Sequence, residues 1–237
     1  MLVAAAACPC PPLLVPEVAA GVAPELDAAR AACTDALGVL AAARPDLLVV
    51  VGPDDGSGTH DYPAGTPGSF RGFGVDLDVR LGDGDGAAGR ELPYGLAVGA
   101  WLLGRTGWAG APVEGRGVGE SLAPDACRAE GRRLAGRAGR VALLVMGDAS
   151  ACRTPKAPGY LDERAVPYDA EIARALGSAD TAALRALDPR AARELKVSGR
   201  APWQVLAGAA EGGAGLAGAL LHEGAPYGVG YVVATWS

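Results

Sequence analysis

The sequence predicts a single three-layer α/β domain with a largely parallel or mixed central sheet. Three observations carry that expectation. Residues 47–51 and 141–146 are continuous runs of Leu, Val, Ala and Met, the mark of strands buried on both faces. Segments with three- and four-residue apolar spacing alternate with these runs, as in a layered α/β protein. No linker or internal repeat interrupts residues 1–237, so the chain reads as one domain.

The elements follow in order. Residues 2–7 form a short apolar strand that runs into the Pro-rich stretch 8–12. Residues 24–43 read as a helix, with Pro24 in the first turn and Leu26, Ala29, Cys33, Leu37 and Leu40 along one face. Arg44, Pro45 and Asp46 end it before the strand 47–51. Residues 52–74 read as one long loop, a length that is often functional. Val75, Leu77, Val79 and Leu81 alternate with charged residues and predict a half-exposed strand, followed by a turn-rich loop at 82–86. Helices are expected at 92–103, 124–137, 168–176, 181–186, 203–210 and 216–221, and a terminal strand at 229–235. The apolar helix 92–103 suits a packed core and leaves a homodimer interface open.

Composition narrows the function. The chain has 21 Lys+Arg against 27 Asp+Glu, a net charge of -6, which argues against nucleic-acid binding through bulk charge. No window approaches the roughly 20 apolar residues of a membrane span. No basic residue precedes Arg30, so residues 1–10 lack the pattern of a secretory signal. Five cysteines at 8, 10, 33, 127 and 152, an odd number without paired spacing, predict reduced thiols and a cytoplasmic protein. Only two histidines exist, His60 and His222, so a mechanism needing three imidazoles is excluded.

In parallel sheets ligands bind beyond the carboxyl ends of strands. That directs attention to residues 8–12, 52–62 and 147–160. Cys10, Asp54 and His60 are legitimate metal-ligand types, and such a set would take Fe(II) or Zn(II). Equally, Cys10 reads as a small buried hydrophobe, and Asp54 and Asp55 as turn residues. Asp148 and Ser150 follow a buried strand, and with Cys10 they are the candidates for catalysis. Arg153 and Lys156 would neutralise an anionic ligand, with Pro53, Asp55 and Tyr160 as further candidate contacts. The competing reading is that Asp148 and Ser150 brace the loop through backbone hydrogen bonds.

Five segments resemble one known family in order along nearly the whole chain. They are Cys8-Pro-Cys-Pro-Pro-Leu-Leu-Val-Pro-Glu-Val18, Arg44-Pro-Asp-Leu-Leu-Val-Val-Val-Gly-Pro53, Gly68-Ser-Phe-Arg-Gly-Phe-Gly74, Met146-Gly-Asp-Ala-Ser-Ala151 and Gly224-Ala-Pro-Tyr-Gly-Val-Gly-Tyr231. Each resembles a motif of the LigB-type class III extradiol ring-cleavage dioxygenase superfamily, including its Memo-like branch. The resemblance implies a LigB-like fold and Fe(II) held by two His and a carboxylate, with another His as acid–base catalyst. In this chain the first His position holds Cys10, the second Asp54 or, one residue on, Asp55, and the acid–base position Ala151. The carboxylate ligand finds no match in residues 194–199. Losing imidazoles removes both the iron triad and the proton shuttle of catechol cleavage. The expectation is a divergent member with an eroded iron site that binds a small anionic or aromatic metabolite. Alternatives are a metal-dependent oxygenase or hydrolase rebuilt on Cys10, Asp54 and His60, and a non-catalytic partner-binding scaffold.

Overall fold

A computed structural model describes residues 1–19, 21, 23–86, 90–212 and 215–237. The strands, in chain order, are β1 Leu2–Cys8, β2 Leu47–Asp54, β3 Thr59–Tyr62, β4 Pro67–Ser69, β5 Asp78–Arg80, β6 Val113–Gly119, β7 Val141–Met146, β8 Gly218–Gly224 and β9 Tyr231–Trp236. Seven of them form the main sheet in the order β3-β6-β2-β7-β1-β9-β8, while β4 and β5 pair as a separate ribbon. The inner pairs β6–β2, β2–β7 and β7–β1 are parallel, and the outer pairs are antiparallel. The sheet is therefore mixed, with a parallel centre.

Helices cover both faces. α1 Asp27–Ala42 packs on β1 and β9, and α2 Tyr94–Thr106 packs on β2. On the other face α3 Pro124–Ala135 packs against α7 Arg200–Ala209, and α4 Ala165–Gly177 against β8 and β9. The short helices α5 Thr181–Arg185 and α6 Pro189–Glu194 connect α4 to α7. Side chains alternate across a strand, and the core divides accordingly. Ala4, Ala6, Leu48, Val50, Leu144 and Met146 face α1 and α2, while Ala5, Ala7, Val49, Val51, Leu143 and Val145 face α3, α4 and α7.

Differences from the sequence-based expectation have physical causes. The segment expected as helix 216–221 is the strand β8, whose Leu220 and Leu221 are exposed at the sheet edge. Pairing with β9 overrides the helical propensity of its Leu and Ala residues. The alternating strand 75–81 shrinks to three residues, and the long loop 52–74 contains β3, β4 and a 3₁₀ turn at Arg71–Phe73. Helix α2 buries eight of its residues inside the monomer, as expected of a core helix. All five cysteines are buried free thiols. Among the described residues no helix is long and apolar enough to cross a membrane.

Candidate functional site

The carboxyl ends of β1, β2, β6 and β7 open into one cleft of about 770 Å³. Each strand delivers residues to it: Pro11 to Leu13 after β1, Asp54 to Gly56 at the end of β2, Glu120 and Ser121 after β6, and Asp148 after β7. The opposite wall comes from α6 and the turn into α7, with Arg193, Lys196, Ser198 and Arg200. Tyr94 at the start of α2 and Tyr231 at the start of β9 complete the lining.

Asp148 is the chemical centre of the floor. Its Oδ1 accepts the Cys10 backbone N–H at 2.8 Å, and its own N–H donates to Ser198 Oγ at 3.0 Å. Burial pushes its carboxyl up to about 7, against the opposing pull of the Cys10 N–H. A group with that value exchanges a proton near neutrality, which is what acid–base chemistry requires. Burial, then the neighbouring Cys10 and Asp148, push the Tyr94 phenol up. Glu120 is raised by burial first and by Asp55 second, with Arg200 opposing.

The opposite wall carries three cations, of which Arg193 and Lys196 are exposed. Most arginines of this chain are ion-paired, but Arg193, Lys196 and Arg200 have no ion pair to a described residue. Arg200 is buried, and its guanidinium donates to the carbonyls of Leu122 and Glu120 and to Gln204 Oε1. Lys196 sits at φ +56° just past α6. There the Val197 N–H reaches Ala192 O at 2.8 Å and the Lys196 N–H reaches Arg193 O at 3.2 Å. This is a Schellman stop with lysine where glycine is usual.

The candidate residues divide. Asp148, Asp54 and Asp55 line the cleft. Cys10 lies beneath it, fully buried; burial and then Asp148 push its thiol well above the ordinary range, which disfavours a nucleophilic thiolate. Ser150 turns away: its N–H and Oγ both donate to Asp169, each at 2.8 Å, bracing the loop against α4. Arg153 joins the same carboxylate at 3.1 Å and does not line the cleft. Lys156 and Tyr160 are exposed outside the lining, Tyr160 at 66%. Pro53 is buried under Gly95 of α2. Both residues thus brace backbone, Asp148 by accepting the Cys10 N–H and Ser150 through Asp169, and of the two only Asp148 lines the cleft.

Iron or zinc does not fit this donor set. Cys10 and Ala151 offer no imidazole, and Asp54 Oδ2 is already engaged by His60 Nδ1 at 2.8 Å and Tyr62 Oη at 2.9 Å. Among the described residues no three His, Cys, Asp or Glu side chains converge to hold a metal ion. Cys10, Asp54 and His60 are therefore not assembled as a ligand set.

Glu120 and the wall 193–200 escape sequence reasoning. β6 reads Val-Glu-Gly-Arg-Gly-Val-Gly and lacks an apolar run. Its signal is the period of two in Gly115, Gly117 and Gly119. A Cβ at Gly117 would overlap the Asp54 carboxylate, so only glycine lets that side chain lie across the strand.

No family model matches this chain, and a search of curated proteins finds no match. Among solved structures it is similar to the crystal structure of the uncharacterized protein JW3007 from Escherichia coli K12. The two share 13% identity and a TM-score of 0.61 over 99% of this chain and 100% of that one, a likeness of fold alone.

Proposed function

We propose that this protein is a divergent LigB-type member whose strand-end cleft binds a small anionic metabolite in place of an iron-bound catecholate. One observation carries the reading: three cations without ion pairs to described residues line one wall of a cleft, in a chain of net charge -6. Of the three only Arg200 is buried, and buried charge is ordinarily paired. A ligand carboxylate or phosphate would supply the missing partner for Arg200 and draw in Lys196 and Arg193. Pro11, Pro12 and Tyr231 would cover an apolar or aromatic body. Asp148, able to hold or release a proton near pH 7, would meet a hydroxyl or amino group at the floor.

Calorimetric titration with benzoate and with inorganic phosphate tests this. Wild type is expected to bind at least one of them. The double variant Arg193→Ala/Lys196→Ala should bind about tenfold or more weakly, since a charge-assisted hydrogen bond contributes about 1.5–3 kcal/mol. Equal affinity in both proteins, or no binding of either anion, would overturn the reading.

A further inference from the structure

A second group of side chains stands at the end of β2, apart from Asp148. Asp54 is nearly enclosed, its side chain 5% exposed, while the His60 side chain is 35% exposed. Their contact runs through Nδ1 at 2.8 Å. A neutral imidazole carries one proton, and a carboxylate facing Nδ1 holds it there, leaving Nε2 as the acceptor. Tyr62 Oη fixes the same carboxylate oxygen, and Arg90 stands 3.8 Å from it. The orientation is thus built from three elements: β2 carries the acid, β3 carries His60 and Tyr62, and Gly117 of β6 makes room for the carboxylate.

The ring is partly exposed and borders the cleft beside Gly56, without itself lining it. His60 Cε1 lies 3.8 Å from the position a Cβ on Gly56 would take, and both Gly56 and Asp54 line the cleft. Nε2 is bonded to that same carbon, and it makes no hydrogen bond to a described residue.

We propose that His60, oriented by Asp54, is a general base on the rim of the cleft. Nε2 takes a proton from a water molecule or a ligand hydroxyl as that oxygen attacks an acyl carbon. The O–H bond breaks as N–H forms, and the electron pair of the O–H bond stays on oxygen and enters the new C–O bond. The leaving group departs with its own bonding pair. The imidazolium, stabilised by Asp54, releases its proton to bulk water through the exposed edge. Asp54 acts as a positioning residue.

The chain has only two histidines, which makes the test clean. The probe is p-nitrophenyl acetate, a neutral ester, so a failure of the anion-binding reading leaves this experiment intact. Hydrolysis yields acetate and p-nitrophenolate, with water as the only co-reactant. His60→Ala and His60→Gln are expected to lower the rate about a hundredfold, and His222→Ala to leave it unchanged. Added free imidazole should raise the rate of His60→Ala above imidazole's own hydrolysis of the ester and by more than it raises wild type, a rescue that a merely structural role would not give. Nitrogen-15 spectra should show His60 with its proton on Nδ1, and Asp54→Asn should abolish that preference and slow hydrolysis. A folded His60→Ala that hydrolyses at the wild-type rate, or that imidazole fails to rescue, overturns the proposal.

Discussion

Asp148 and Asp54 leave neighbouring parallel strands of one sheet, yet they are held in opposite ways. Asp148 is set deep in the cleft floor and satisfied chiefly by a backbone N–H, with no cation of a described residue in contact. Asp54 meets a tyrosine hydroxyl, an imidazole and, at 3.8 Å, a guanidinium. The lesson is that burial without a cation makes a carboxyl a proton store, whereas pairing makes it a fixed acceptor that orients a neighbour. One cleft thus holds two acids suited to different tasks.

The sharpest test of the contrast is pH. Asp148 titrates at about 7 in the folded chain and near the ordinary value of about 4 when unfolded. A carboxyl raised on folding binds its proton more tightly in the folded state. Its contribution is favourable below about pH 4 and is lost as pH rises towards 7, a decline on the order of 4 kcal/mol. Asp148→Asn should remove that decline, because a neutral amide can still accept the Cys10 N–H. Urea unfolding of both proteins at pH 5 and pH 8 measures it. Equal slopes in the two proteins would show that Asp148 is not the proton store.

Glycine substitutions probe how each acid is placed. A Cβ at Gly147, beside Asp148, would collide with the Gly199 backbone, while one at Gly117 would overlap the Asp54 side chain, which can turn only by giving up its hydrogen bonds to His60 and Tyr62. Backbone cannot swing aside. Gly147→Ala should cost about 3 kcal/mol, the upper part of the overpacking range, and Gly117→Ala about 2. Thermal melts rank them, and the reverse order would mean that the Asp148 loop is the more compliant of the two.

The smallest effect concerns the wall that faces both acids. Lys196→Gly relieves a left-handed backbone and should stabilise the chain by up to about 1 kcal/mol, since that conformation opposes an L side chain. The same change should weaken anion binding. A variant that gains stability and keeps full affinity would separate Lys196 from the ligand.

How much of this was legible in the sequence depended on locality. Residues 47–51 and 141–146 announce buried strands, so Asp54, Asp55 and Asp148 could be placed at strand ends from pattern alone. β6 was hidden by glycines, one of which serves a tertiary contact with Asp54. At β8 the sequence does not separate strand from helix, because Leu220 and Leu221 lie on an exposed edge and carry no distinguishing period. Arg193, Lys196 and Arg200 lie in and around a six-residue helix, and only docking across the sheet brings them opposite Asp148. The functional surface is legible where it continues a strand and illegible where it arrives from elsewhere in the chain.

The alanines of β1 have a consequence of their own. Ala4, Ala5, Ala6 and Ala7 occupy a central strand, all but wholly buried between the helical layers. Alanine has no side-chain rotamers to freeze, so this strand is ordered without the entropy loss that leucine or methionine would incur. It also holds the layers close, and any larger residue would wedge them apart. The β1 side of the cleft floor therefore hangs from a strand with little side-chain freedom.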